Sequence, residues 1–194
     1  MSITIIPRSK ASTTRWSGGN TNEFYICPPG SSYKDRDFSL RISSATVDLA
    51  ESDFTMLPAF DRIVLPLTGG YTLTYQEVPG RTDVLGPLQA AYFDGGWHTH
   101  SVGKAEDFNL IYRKGLKARY EKLAETTTLQ AAPQRYLYVP GVPAQDLAGC
   151  TLGDIPLSPD TLYMIPEEEG PVPLALKNVA VVYLTVGQRE VKKA

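Results

Sequence analysis

Phe38-Ser39-Leu40-Arg41-Ile42-Ser43 alternates apolar and polar residues with a period of two, and that period decides the fold. Successive side chains of a strand point to opposite faces, so Phe38, Leu40 and Ile42 share one side and Ser39, Arg41 and Ser43 the other. The same rhythm returns in Tyr71-Thr72-Leu73-Thr74-Tyr75-Gln76. Further β-rich runs lie at about 2–6, 23–27, 62–67, 108–113, 117–123, 135–139, 161–165 and 179–186. Turn-forming punctuation separates them: Pro28-Pro29-Gly30, Gly69-Gly70, Pro79-Gly80, Gly95-Gly96 and Glu169-Gly170-Pro171. The sequence therefore predicts an all-β, mostly antiparallel protein. Lys117 to Glu125 reads as an alternating strand, although its Ala, Leu and Glu also suit a short helix. Pro140 to Pro159, rich in Pro and Gly, predicts a long connection between the last strands.

Many antiparallel strands leave unpaired backbone at sheet edges, and closure into barrels or stacking into sandwiches removes that liability. A small barrel holds at most one small ligand, and polar residues that interrupt its apolar faces are the candidates to meet it.

Composition bounds the function. A length of 194 residues suits one large β domain or two fused small barrels. With 19 basic and 21 acidic side chains, the formal charge of -2 provides no field for a polyanion, so no nucleic-acid partner is expected. The opening Met-Ser-Ile-Thr-Ile-Ile-Pro lacks a basic segment followed by a long apolar core. No apolar run approaches the ~20 residues that span a bilayer. The expectation is a cytoplasmic protein with no membrane partner, a homodimer being left open. Cys27 and Cys150 form neither a disulfide framework nor a metal knuckle and read as reduced thiols. The sequence has no Gly-x-Ser-x-Gly elbow, phosphate loop or Cys–His spacing that announces catalysis. Glu167-Glu168-Glu169 reads as a solvated loop.

The candidate ligand contacts are polar groups in apolar, strand-like surroundings. Arg62 precedes Ile63-Val64-Leu65, and its permanently charged planar fork matches a carboxylate; the alternative is a structural Asp61–Arg62 arrangement at a strand start. Arg41 carries the same two readings. Asp107 and Asn109, two apart, share one face of a strand, either to contact a ligand or to anchor Arg62 or the Gly18-Gly19 loop. Asn20 and Thr21 follow two glycines that allow close backbone approach to a ligand, and equally make a good turn. Trp16 reads as a packing anchor for that loop.

His98-Thr99-His100 raises a metal reading, because alternate histidines on a strand face one way. Glu106 lies six residues beyond His100, too far to complete a ligand set with such a pair, and the chain has only 2 histidines. No metal and no cofactor are therefore expected, and His98 and His100 are placed in or near a loop after Gly95-Gly96, as polar surface groups or as supports to the groups of a site.

Four motifs in order give the chain its resemblance: Trp16, Gly18, Gly19, Thr21 and Glu23; Phe38, Arg41 and Ser43; Leu57-Pro58-Ala59-Phe60-Asp61-Arg62 followed by Gly69-Gly70; and Asp107-Phe108-Asn109. Together they resemble the HutD/Ves family, cupin-like proteins linked to bacterial histidine utilisation. Ser17, Asn20 and Ala59 depart from the usual pattern. The resemblance implies a cupin-like (bicupin) double β-barrel forming one compact unit over 1–194. Its first barrel would span about 10–115 and its second about 116–194. It also implies a non-catalytic protein that binds or senses a small carboxylated metabolite. In that reading Arg62 grips the carboxylate, while Thr21, Asp107 and Asn109 shape the site. The runner-up is a metal-dependent cupin enzyme, an isomerase or dioxygenase, and a third reading is a structural barrel with an empty interior.

Overall fold

A computed structural model describes residues 2–188, and the chain divides into two compact units, Ala11–Lys114 and Met1–Lys10 with Gly115–Ala194. Strand β1 (Thr4–Pro7) belongs to the second of these. The unit Ala11–Lys114 contains β2 (Ser12–Trp16), β3 (Gly19–Cys27), β4 (Leu40–Val47), β5 (Glu51–Asp53) and β6 (Phe60–Gly69). It continues with β7 (Tyr71–Tyr75), β8 (Thr82–Leu85), β9 (Ala91–Asp94), β10 (Thr99–Val102) and β11 (Ala105–Arg113). The remaining strands are β12 (Leu116–Leu123), β13 (Thr127–Leu129), β14 (Gln134–Val139), β15 (Thr151–Leu152), β16 (Ile155–Pro156), β17 (Thr161–Pro166), β18 (Val172–Ala175) and β19 (Val181–Gln188). All ladders are antiparallel, and the described residues contain short 3-10 turns but no α-helix. No helix among them is long and apolar enough to cross a membrane.

Each unit stacks two sheets. In Ala11–Lys114 a six-stranded sheet ordered β2-β3-β4-β11-β6-β9 faces a four-stranded sheet ordered β5-β10-β7-β8. Val64, Ala91 and Phe93 of the first pack against Tyr71, Leu73, Tyr75 and Leu85 of the second. In the other unit β1-β17-β14-β19-β12 packs through Leu137, Tyr163 and Val181 on Leu129, Leu152, Val172 and Leu174 of the sheet β13-β18-β15-β16. Among the described residues no sheet closes into a ring of paired strands. The all-β antiparallel architecture is as expected, with stacked open sheets where closed barrels were anticipated.

Sequence pattern explains the placements. Strand β11 is buried from Asp107 to Tyr112 because β4 and β6 pair with its two edges and both its faces are covered. Lys117 to Leu123 is strand, its charged residues alternating outward along an edge of its sheet. The Pro140–Pro159 connection is not wholly irregular, because β15 and β16 form a short ladder in it that buries Leu152.

Candidate functional site

The site is built on one face of the six-stranded sheet, and the strand registers fix its three cross-strand rows. Thr14, Thr21, Ala45 and Asp107 make the first; Glu23, Ser43, Asn109 and Val64 the second; Arg41, Ile111, Arg62 and Phe93 the third. Two irregularities set the phase. The β3–β4 register shifts between Glu23 and Tyr25, and the β11–β6 register shifts between Glu106 and Asp107, opposite Pro66. Proline has no N–H for a ladder, and a bulge absorbs that loss while re-aiming neighbouring side chains.

These rows, Glu23, Val64 and Phe93 excepted, line a cavity of about 250 Å³, to whose wall Tyr33 and Phe54 also contribute. Of the residues singled out in the sequence, Thr21, Arg41, Arg62, Asp107 and Asn109 come together there. Asn20 does not: it is exposed on the opposite face of β3, and its amide donates to Thr46 Oγ1 at 2.9 Å. Trp16 lines the cavity and also lies so close over Gly18 that a Cβ there would meet its ring at 2.3 Å.

The two arginines are in different electrostatic situations. Arg41 donates from Nε to Glu23 at 2.6 Å and from Nη1 to Ser43 Oγ at 3.2 Å, and its guanidinium lies 4.5 Å from the Tyr33 ring centroid. Its charge is spent on the protein. Arg62 is 6 % exposed and makes no ion pair among the described residues. It lies 4.6 Å from the Phe54 ring centroid and 5.6 Å from that of Phe93, and its Nε is buried without an acceptor. Such ring contacts favour a cation but offer no lone pairs. Burial lowers the Arg62 pKa, Tyr33, Asp107 and Tyr71 oppose that shift, and Arg41 adds to it. A guanidinium starts far above neutrality and remains cationic.

Asp107 is 3 % exposed, and its Oδ1 has no hydrogen-bond partner. Burial pushes its carboxyl up to about 7, Arg62 pulling it down and Glu106 adding to the rise. Asn109 Oδ1 and Tyr71 Oη are likewise buried without partners. Native interiors satisfy most buried polar atoms, and three of these orphans belong to Arg62, Asp107 and Asn109, which line the cavity.

His98 and His100 do not converge. The His98 ring bonds Glu77 at 2.5 Å, and the His100 ring, on β10 rather than in a loop, bonds Asp53 at 2.8 Å. Among the described residues no three His, Cys, Asp or Glu side chains come together as a metal site. The contributions of Tyr33 and Phe54 were not legible in the sequence, because each reaches the cavity from outside the motif-bearing strands.

The sequence matches the HutD family over residues 8–149. The chain belongs to the HutD family. No curated protein matches it. Among solved structures, HutD from Pseudomonas fluorescens SBW25, determined in a formate condition, is similar at a TM-score of 0.78 and 19% identity, over 97% of this chain and 100% of that one. The conserved protein PA5104 from Pseudomonas aeruginosa PAO1 follows at 0.75 and 22%, over 97% and 100%. The bacterial pirin YhhW from Escherichia coli, in complex with nickel(II), is similar at 0.64 and 10%, over 94% and 98%. At these identities the likeness speaks for the fold, which is cupin-like.

Proposed function

We propose that this HutD family member is a bicupin-type binding or regulatory protein rather than a catalyst, and that it takes a small carboxylated metabolite into the cavity of Ala11–Lys114. One observation carries the reading: Arg62 is a buried cation, unpaired among the described residues, on the wall of a cavity. An uncompensated buried charge is strongly unfavourable, and an incoming carboxylate supplies the missing counter-charge with two charge-assisted hydrogen bonds. At about 250 Å³ the cavity falls below the usual range for drug-sized ligands, which favours an acid of metabolite size. Intermediates of histidine breakdown are the first such class to test.

Calorimetric titration with formate, formylglutamate, urocanate and related acids tests the reading. At least one acid is expected to bind, with affinity falling on the order of 10- to 100-fold in Arg62→Ala, the cost of losing charged hydrogen bonds. If none binds, or if wild type and Arg62→Ala bind alike, the reading is wrong.

A further inference from the structure

Asp107 and Arg62 line the same cavity without forming an ion pair, and Asp107, whose buried Oδ1 has no hydrogen-bond partner, stands on the wall of a site meant for an anion. On its face this is a contradiction, because a carboxylate beside the ligand's carboxylate would repel it. Counting charge around the cavity sharpens the point. Arg41 is neutralised by Glu23. Asp53, at the rim on β5, is bonded to the His100 ring of β10. Glu106 adjoins Asp107 on β11, Tyr71 of β7 approaches as a phenol that burial keeps from ionising, and Tyr33 lines the same cavity. Arg62 and Asp107, on one face of the sheet with the Asn109 row between them, are left without ion pairs among the described residues. With Asp107 ionised they cancel, and the cavity has no net attraction for an anion. With Asp107 protonated the cavity is net positive, and the carboxyl gains an O–H donor.

We infer that Asp107 is a ligand-contacting group that acts as an acid: in the complex it carries a proton and donates a hydrogen bond to the carboxylate that Arg62 binds, so binding to protein whose Asp107 is ionised takes up one proton from bulk water. This rests on the carboxylate reading of the cavity. Two further observations support it. The carboxyl is displaced upward to about 7, so the proton is available near neutrality. An anion bound beside it raises it further, as two carboxylates sharing a site hold a proton between them. The ligand is thereby specified as a species with a free, ionised carboxylate; an ester or primary amide of the same acid cannot accept both the guanidinium fork and the acid hydrogen bond.

The experiment is calorimetric titration of the intact protein with formate and with the tightest acid of the panel above, at pH 6 and pH 8, each in two buffers of different ionisation enthalpy. The expected result is uptake of about one proton at pH 8 and an affinity about tenfold weaker at pH 8 than at pH 6, the fall in the protonated fraction of a group titrating at about 7. The same tenfold drop is expected in His100→Gln, which removes the rim imidazole. Asp107→Asn, which keeps the shape and cannot titrate, is expected to bind without proton uptake and with one affinity at both pH values. Equal wild-type affinities at pH 6 and pH 8 with no proton uptake would overturn the role of Asp107 while leaving Arg62-dependent binding intact. Loss of the pH dependence in His100→Gln would overturn it in favour of the rim. Absence of binding by every acid at both pH values would overturn the carboxylate reading itself.

Discussion

Replacing Asp107 by Asn should make the free protein more stable, and increasingly so as pH rises. In the folded protein the Asp107 carboxyl stands at about 7 against an ordinary value of 3.8, and desolvation is the largest cause. The sign follows from proton binding: between these values the folded state holds a proton that the unfolded state has released, so stability falls as pH rises through that window. From about pH 4 to pH 7 the full loss is about 4 kcal/mol at 1.36 kcal/mol per unit, and about 3 kcal/mol of it falls between pH 5 and pH 8. Asn has the same shape and no charge to desolvate. The difference between Asp107→Asn and wild type should therefore grow by roughly 3 kcal/mol from pH 5 to pH 8. Urea unfolding followed by tryptophan fluorescence reads the relevant unit directly, because Trp16 and Trp97, the 2 tryptophans of the chain, both lie in Ala11–Lys114. If the two proteins keep a constant difference across this pH range, Asp107 does not titrate as a buried acid and the electrostatic reading of the cavity fails.

Two other substitutions test the frame around the site. Gly19 has φ +149°, and a Cβ there would lie 2.1 Å from the Thr46 carbonyl oxygen, so Gly19→Ala should cost roughly 2–4 kcal/mol through strain and overpacking; an unchanged Tm would show that the β3 entry is not fixed in this way. In the other unit Arg135, 1 % exposed, donates to the carbonyls of Leu129, Gln130, Gly170 and Pro166 at 2.6–3.3 Å. Arg135→Met should leave these acceptors unsatisfied and cost roughly 3–5 kcal/mol in chemical unfolding followed by circular dichroism, whereas a loss below ~1 kcal/mol would mean that other donors replace the guanidinium.

The strands were legible because the period of two survives in single segments: in Tyr71–Gln76 one face is buried and the other is not, and in Phe38–Ser43 the apolar face enters the core while the polar Arg41 and Ser43 are buried along the cavity. What depends on pairing between distant segments was not legible. The residues from Thr4 to Pro7 read as a strand, but nothing in them says that their partner is Thr161–Met164. Arg62 was the sharper candidate in the sequence, but Arg41 carried the same two readings, a ligand contact or a structural arginine. What separates them in the structure is Glu23, which follows Thr21 by two residues on the same face of β3, pairs with Ser43 ahead of the register shift and ion-pairs with Arg41. Asn20 and Thr21 were equally attractive as ligand contacts, and only the phase of β3 puts Thr21 inside and Asn20 outside. Phe54 carries no motif; it matters because the sheet that begins with β5 lays its ring over Arg62.

Arg62 has two ways to find a counter-charge, and they exclude each other. At high pH an ionised Asp107 offsets it from within the protein, imperfectly, since the two do not form an ion pair and Asp107 Oδ1 remains unpartnered. At low pH Asp107 is neutral and Arg62 is uncompensated, and in the proposed function an anion from outside completes the site. Stability of the free protein and affinity for a carboxylate are then set by one proton on one residue. Stability should stop falling, and affinity should begin to fall, at one and the same pH, near 7, and both of these dependences should be missing in Asp107→Asn. Two separate causes, a structural acid in the core and an unrelated group at the rim, have no reason to share that turning point or to vanish with the same substitution.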